Sequence, residues 1–113
     1  MKQKEIWLIN LEPTIGAEIR KTRPCVIIND DSIGALPLKI IAPLTDYKDK
    51  YKNIPWMIAV SPDKYNNLKK ASVIDVFQVR SVSEERLIKR IGIITDKALA
   101  EVMRALQLVF GIQ

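Results

Sequence analysis

Histidine is absent from the sequence, and cysteine occurs once. Without histidine, acid–base catalysis near neutral pH must use other side chains, so mechanisms built on paired histidines are excluded. A single cysteine cannot form a disulfide framework or a cysteine-rich metal site. Cys25 stands between Pro24 and Val26 in an apolar stretch. This setting is typical of a small buried core residue rather than of a reactive thiol.

Long apolar runs are missing as well. No stretch approaches the roughly 18 apolar residues that a membrane span requires. The run IWLINL, which follows a charged N-terminal stretch, is too short for the hydrophobic segment of a signal peptide. We therefore expect a cytoplasmic protein that does not act at a membrane.

Glycine and proline are few, at four and six of 113 residues, and 48% of the residues are hydrophobic. This composition indicates one globular domain, residues 1–113, and argues against a disordered or fibrous chain. Positive charge is in excess, because 18 Lys and Arg against 13 Asp and Glu leave a net charge of +5. The balance favours a polyanionic partner such as nucleic acid.

Short apolar stretches separated by Pro, Asn and Asp predict strands at 4–11, 24–28, 38–44, 56–61 and 72–82. Residues 84–94 fit a helical turn that runs into a last strand. The C-terminal stretch has apolar residues at three- and four-residue spacing, with Thr95 or Asp96 as cap and Gly111 at the end, which predicts one amphipathic helix. Together these elements predict a mainly β fold, an antiparallel barrel or strongly bent sheet closed by that helix.

The loop before the second predicted strand is rich in charge and carries Glu18, Arg20, Lys21 and Arg23 directly before Pro24. Pro24, as the first residue of a buried strand, would hold the end of this loop rigid. The guanidinium of Arg23 could grip a phosphate with two donors, which lysine cannot do. The alternative is a solvated loop in which Glu18 and Arg23 pair with each other.

A hydroxyl group, that of Thr45, follows the third predicted strand and would point in a fixed direction there. The alternative is that Thr45 only starts a turn with its own backbone. In the long predicted strand, Gln78 and Arg80 should share one face, and Asp75 and Phe77 should share a face as well.

The segment TDYKDKYKNIPW alternates lysines with aromatic residues. Bases of single-stranded nucleic acid could stack there while the ammonium groups meet phosphates. The alternative is a mobile loop with Trp56 in the core, and for Trp56 itself we expect the core.

The order of these motifs resembles that of the MazF/PemK toxins of bacterial toxin–antitoxin pairs, nearly from end to end. The most specific matches are Gly16-x-Glu18 followed by Arg23-Pro24, and Gln78-x-Arg80-Ser81. The resemblance implies an SH3-like barrel with a C-terminal helix, a homodimer, and a ribosome-independent endoribonuclease that cuts single-stranded RNA or mRNA at short sequences. It implies no metal and no cofactor. The 2′-hydroxyl of the substrate would attack the adjacent phosphate, leaving a 2′,3′-cyclic phosphate and a 5′-hydroxyl.

The resemblance also assigns roles to single residues. Arg23 matches the catalytic arginine, Thr45 the catalytic threonine and Glu18 the acid of the same loop. Residues expected to bind RNA are Arg20, Lys21, Tyr47, Lys48, Lys50, Gln78 and Arg80. Because arginine stays protonated, Arg23 would stabilise charge and could donate a proton to the leaving oxygen, and Glu18 or Asp75 is left as the candidate base.

The expected protein partner is an antitoxin with an acidic, partly apolar tail, and operator DNA would be bound only through the antitoxin complex. The sequence departs from its relatives at Phe77, where an acid is common, and at Ala17, where serine is frequent. Two alternatives stay open: a CcdB-like toxin of the same barrel fold that binds DNA gyrase, and a catalytically inactive RNA-binding member.

Overall fold

The computed structural model describes residues 1–33 and 35–113, in which seven strands and one α-helix are found. The strands are β1 (Glu5–Asn10), β2 (Thr22–Ile27), β3 (Leu38–Asp46), β4 (Met57–Val60), β5 (Ser72–Asp75), β6 (Arg80–Ser83) and β7 (Leu87–Ile93), and the helix is α1 (Asp96–Phe110). Four 3₁₀ turns lie at Asp31–Ile33, Asp49–Tyr51, Val76–Gln78 and Glu84–Arg86.

The strands form one antiparallel sheet in the order β4-β5-β3-β2-β1-β7, and β6 pairs with β3 as well. The Cα atoms extend over 36 × 35 × 32 Å, which a flat sheet with one helix would not fill, so the sheet is strongly bent. The predicted mainly β fold with a C-terminal helix is therefore confirmed. The barrel is not closed, because no pairing joins the outer strands β4 and β7 within the described residues.

The long strand expected over 72–82 is interrupted, which corrects the prediction. β5 pairs with the C-terminal end of β3 and β6 with its N-terminal half, and the turn at Val76–Gln78 separates them. The turn also breaks the alternation of side chains. Asp75 is only 5% exposed whereas Phe77 is 60% exposed, so the expectation that these two share a face is wrong.

Two strand boundaries differ from the prediction by two residues, the start of β2 and the end of β3. β2 begins two residues before Pro24, which lies opposite Leu8 of β1. The proline is tolerated because the pairing of β2 with β3 runs only from Cys25 to Ile27. β3 continues past Thr45, which lies opposite Val73 and therefore does not start a turn.

The helix begins and ends as its capping residues predict. The Thr95 hydroxyl oxygen accepts the Ala98 N–H at 3.0 Å, and Gly111 closes the helix in the left-handed conformation with φ of 70°. Asp96, the alternative cap, instead accepts a hydrogen bond from Lys4 Nζ at 2.6 Å. None of the helical segments described here has the length and apolarity needed to cross a bilayer.

The sheet has a core on each face, because alternate residues of its strands belong to different clusters. The cluster on the helix side includes Ile6, Val26, Ala42, Ile74 and Val102, and the cluster on the other face includes Ile9, Leu11, Cys25, Ile27 and Ile41. Cys25 is fully buried, and burial raises the pKa of its thiol to about 12. The expectations of a core cysteine and of a Trp56 packed on the core are both confirmed.

Candidate functional site

Arg23 and Thr45 are brought together by the register of two neighbouring strands. Cys25 of β2 lies opposite Pro43 of β3. Continuing this register toward the end of β3 sets Arg23 opposite Thr45, with both side chains on the same face. Arg23 Nη1 donates to Thr45 Oγ1 at 3.5 Å. The fold thus places in contact the two residues that the sequence singled out.

A hydrogen bond to the backbone fixes the orientation of the Arg23 guanidinium. Its Nε donates to the Arg20 carbonyl oxygen at 2.7 Å, and the side chain is half-buried. Among the described residues, no carboxylate forms a salt bridge with Arg23. A guanidinium that is fixed at one nitrogen and lacks an acidic partner can bind an anion with its remaining donors.

Glu18 forms hydrogen bonds within its own loop, through both its side chain and its backbone. Its Oε1 accepts the Ile15 N–H at 2.6 Å, and its own N–H donates to the Ile15 carbonyl at 3.2 Å. The turn needs the positive φ of Gly16, which is 59°. The alternative in which Glu18 and Arg23 form an ion pair is therefore wrong, and the exposed carboxylate of Glu18 stands apart from that guanidinium in the described structure.

Gln78 connects the turn after β5 to this same loop. Its Oε1 accepts the Ile19 N–H at 2.6 Å, and its Nε2 donates to the Ala17 carbonyl at 3.1 Å. The two hydrogen bonds flank Glu18 on both sides. Because both atoms of its amide bind this backbone, Gln78 positions the loop that carries Glu18.

Replacing Gln78 by alanine should loosen the loop. Losing one such hydrogen bond costs about 1 kcal/mol, so amide hydrogen exchange at Ile19 should become about fivefold faster. Gln78→Glu is the matched control, because a glutamate still accepts the Ile19 N–H but cannot donate to Ala17. Equal exchange at Ile19 in the native chain and in Gln78→Ala would contradict this role.

Glu12 is a second organiser of the loop, and sequence reasoning missed it. Its Oε1 accepts the Lys21 N–H at 2.9 Å and the Thr14 hydroxyl at 3.1 Å, and Arg20 Nε lies 4.0 Å away. The hydrogen bond from Lys21 is the largest of the contacts that hold the pKa of Glu12 below its usual value. In the sequence, Glu12 is only the residue between the predicted strand 4–11 and Pro13.

Arg80 and the cationic segment after Thr45 differ from each other in exposure and in hydrogen bonding. Arg80 is half-buried, and its Nη1 donates to the Leu11 carbonyl at 3.2 Å. Lys48 and Lys50 are exposed, while Tyr47 is half-buried and donates its N–H to the Ala71 carbonyl. Among the described residues, Lys48, Lys50 and Tyr47 form no hydrogen bond with the Arg23 guanidinium.

Asp75, the second candidate base, is not open to a substrate. Its side chain is buried, and Oδ1 has no hydrogen-bond partner among the described residues. Burial raises the pKa of Asp75, and the N–H groups of Gln78 and Phe77 offset part of this rise. The position of Asp75 at the end of β5, opposite Met57, argues against a role in proton transfer.

Asp75→Asn should stabilise the protein at pH 7 by about 1 kcal/mol, because the amide is uncharged and avoids the cost of burying a carboxylate that has no salt-bridge partner among the described residues. The folded pKa of Asp75 is raised, so the native chain loses stability as the pH rises through that pKa. The gain should therefore vanish below the ordinary aspartate value of 3.8. Urea unfolding of both chains at pH 7 and pH 3 measures this, and an Asn variant less stable at pH 7 would contradict it.

The described residues contain no group of three or more His, Cys, Asp or Glu side chains placed to hold a metal ion. What the site offers is a fixed guanidinium beside a hydroxyl at the ends of two strands. Such an arrangement is suited to binding a tetrahedral anion and to stabilising charge that develops on its oxygens.

The architecture that carries this site is a small, strongly bent antiparallel sheet with one C-terminal helix. A family model for PemK-like, MazF-like toxins of type II toxin–antitoxin systems matches residues 2–110. The chain is also 33% identical to the endoribonuclease MazF of Staphylococcus saprophyticus, across 99% of this chain and 92% of the relative. The chain therefore belongs to the family of PemK-like, MazF-like toxins.

Solved structures agree with this fold. MazF from Deinococcus radiodurans superposes with a TM-score of 0.81 at 20% identity, over 98% of this chain and 96% of the other. An endoribonuclease from a mycobacterial species, solved in complex with its cognate antitoxin, has a TM-score of 0.79 at 15% identity, over 100% of this chain and 97% of the other. At these identities the comparison establishes the architecture.

Proposed function

We propose that this chain is an endoribonuclease toxin that cuts single-stranded RNA and that Arg23 and Thr45 are its catalytic pair. The observation that carries the proposal is the contact between Arg23 Nη1 and Thr45 Oγ1, 3.5 Å long, in a relative of an endoribonuclease. A phosphodiester is complementary to this pair, because its two non-bridging oxygens share one negative charge and can accept hydrogen bonds from a guanidinium and a hydroxyl. The net charge of +5 favours the same polyanion.

In the proposed reaction, the 2′-oxygen of the substrate attacks the adjacent phosphorus and the bond to the 5′-oxygen breaks. The products are a 2′,3′-cyclic phosphate and a 5′-hydroxyl. Negative charge gathers on the non-bridging oxygens as the phosphorus becomes five-coordinate. The Arg23 guanidinium and the Thr45 hydroxyl stabilise that charge, each by about 3 kcal/mol, because both are fixed before the substrate arrives.

Proton transfer needs one group that takes the proton of the 2′-hydroxyl and one that gives a proton to the leaving 5′-oxygen. The protonated Arg23 guanidinium cannot take a proton, but it can give one to the 5′-oxygen and regain it from water. We assign the acceptor role to Glu18, whose carboxylate is exposed on the loop that ends at Arg23. The hydrogen bonds of Gln78 on both sides of Glu18 support this assignment, because they fix the segment that carries the base.

The RNA chain is proposed to follow the exposed cations around the site. Arg20 and Lys21 lie on the loop before Arg23, and Lys48 and Lys50 follow Thr45, and all four are exposed. Their contacts with phosphate carry no sequence information, so binding should weaken steeply as salt is raised. Tyr47 and Arg80 are proposed to contribute from half-buried positions.

The partners of the proposed toxin are a second copy and an acidic antitoxin tail. An apolar cavity of about 360 Å³ between the sheet and α1 is lined by Ile28, Ile40, Met103, Leu106 and Phe110, among others. Ile40 and Phe110 are 44% and 62% exposed, which favours a second copy of the chain as the partner that covers this cavity.

The antitoxin in a related complex supports a protein inhibitor for this chain, and operator DNA would be bound only through that inhibitor. We propose that this single-domain chain acts in the cytoplasm, on cellular RNA.

The proposed activity is tested by incubating the purified chain with bacterial RNA in EDTA. We expect discrete fragments with 2′,3′-cyclic phosphate and 5′-hydroxyl ends, and the Arg23→Ala variant purified in parallel excludes a contaminating nuclease. RNA binding without cleavage would instead indicate an inactive RNA-binding member. Inhibition of DNA supercoiling by gyrase, without RNA cleavage, would favour a gyrase-binding toxin.

A further inference from the structure

Phe77 is an exposed aromatic residue in a turn that packing and a backbone hydrogen bond hold in place. It lies in the 3₁₀ turn Val76–Gln78 and is 60% exposed. Its ring packs against Trp56, with centroids 5.5 Å apart and planes tilted by 50°. The turn is fixed by the Val76 N–H, which donates to the Trp56 carbonyl at 3.1 Å. The ring is therefore held in place while a large part of it stays open to solvent.

Phe77 lines a cavity of about 400 Å³ whose wall includes Pro43, two residues before Thr45 in the chain. We call this space the Phe77 cavity; its other lining residues include Ile19, Pro43, Gln78 and Arg80. Pro43 lies on the same face of β3 as Thr45, two residues away. The cavity thus combines apolar walls with an amide and a guanidinium, close to the place where the scissile phosphate would sit.

We infer that the Phe77 cavity binds one unpaired RNA base beside the cleaved phosphate, with the Phe77 ring as the face on which the base stacks. Unpaired bases are bound by proteins largely through stacking on exposed aromatic side chains, and this cavity presents such a ring beside hydrogen-bonding groups. The inference rests on the proposed function, because the RNA must be held at Arg23 and Thr45 for a neighbouring base to reach the cavity.

An acidic peptide is the other chemistry that a basic protein could attract, and the Phe77 cavity suits it less. The carboxylate side chain of Glu18 lines the same cavity. The Arg80 guanidinium lines it as well, so one positive and one negative side chain offset each other and offer a carboxylate no net attraction, whereas an uncharged base needs none. A base is therefore the occupant that the lining favours.

The test uses a short RNA that contains a site cut by the native chain, with a 2′-deoxy sugar at the scissile nucleotide so that it binds without reacting. Each nucleotide is replaced in turn by an abasic one, and dissociation constants are measured by fluorescence anisotropy. For the intact RNA, Phe77→Ala should weaken binding by about 10- to 100-fold, the range typical of losing one stacked base. One abasic position should weaken binding to the native chain equally, and Phe77→Ala should be insensitive to that same position.

Two further variants complete the design. Phe77→Tyr keeps a stacking ring and should bind within about twofold of the native chain. Tyr65→Ala removes a ring of similar exposure, 59%, that does not line the cavity, and should leave binding unchanged.

Several results would overturn the inference. Equal binding of the 2′-deoxy RNA to the native chain and to Phe77→Ala, with the all-ribose RNA still cut by the native chain, would remove the base site and leave the proposed function intact. A lower oligomeric mass of Phe77→Ala, measured by light scattering, would make Phe77 a subunit contact instead. Loss of affinity for an acidic peptide but not for RNA would assign the cavity to a protein partner. If no RNA is cut in EDTA, the proposed function and the base site both fall.

Discussion

Replacing Arg23 by alanine should lower the rate of RNA cleavage by about 10² to 10³, the usual cost of removing one fixed donor from a developing anion. The fold should survive, because β2 is held by buried Cys25 and Ile27 next along the strand. Single-turnover cleavage of a short fluorescent RNA measures the rate, and thermal unfolding followed by circular dichroism checks the fold. An Arg23→Ala chain that cuts RNA at the native rate would end the catalytic proposal.

The controls for Arg23 separate geometry from charge. Arg23→Lys keeps the positive charge but loses the Nε donor that binds the Arg20 carbonyl, so it should recover only a small part of the rate. Arg20→Ala keeps that carbonyl, because it belongs to the backbone, and removes only an exposed cation. Its effect should fall mainly on KM and should grow weaker as salt is added.

Thr45→Val should lower the cleavage rate by about 10², because valine has the shape of threonine but no hydroxyl to donate. Valine is well suited to a strand, so pairing with Val73 should persist. The loss should appear in kcat with KM nearly unchanged, since the hydroxyl is proposed to act on charge that exists only in the transition state. Thr45→Ser restores the hydroxyl and should recover most of the rate.

Because Arg23 and Thr45 are in contact, their substitutions should not be independent. The double variant Arg23→Ala/Thr45→Val should be slower than either single variant, but by less than the product of the two effects. Full multiplication of the effects would mean that the two groups act on separate steps. A Thr45→Val chain with the native kcat would exclude the hydroxyl from the mechanism.

The parts of the fold that follow from local pattern were predictable from the sequence. α1 has its apolar spacing, its cap at Thr95 and its terminal Gly111, and all three are local signals. The break in the strand expected over 72–82 was not predictable, since its apolar residues continue without a turn signal. The break arises because β3 pairs with β5 at one end and with β6 at the other, which is a long-range property of the sheet.

The candidate site likewise contains residues that could be predicted from the sequence and residues that could not. Arg23 and Thr45 were candidates by position, because Arg23 directly precedes one apolar stretch and Thr45 directly follows another, and the family resemblance then selected them. The role of Gln78 could not, because its hydrogen bonds reach residues 59 and 61 positions away in the chain. Asp75 was a reasonable candidate base while the strand was thought continuous, and only the turn after it explains its burial.

Cys25 gives the chain a practical property. Its thiol is fully buried with a pKa raised to about 12, and it is the only cysteine in the sequence. The thiolate is the form of cysteine that attacks maleimide dyes, so the native chain should take up almost no label while folded. A cysteine introduced at exposed Ala17 would then be the one attachment point for a spin label or fluorophore, without prior removal of Cys25. Movement of the loop around Glu18 could be followed directly with such a reporter.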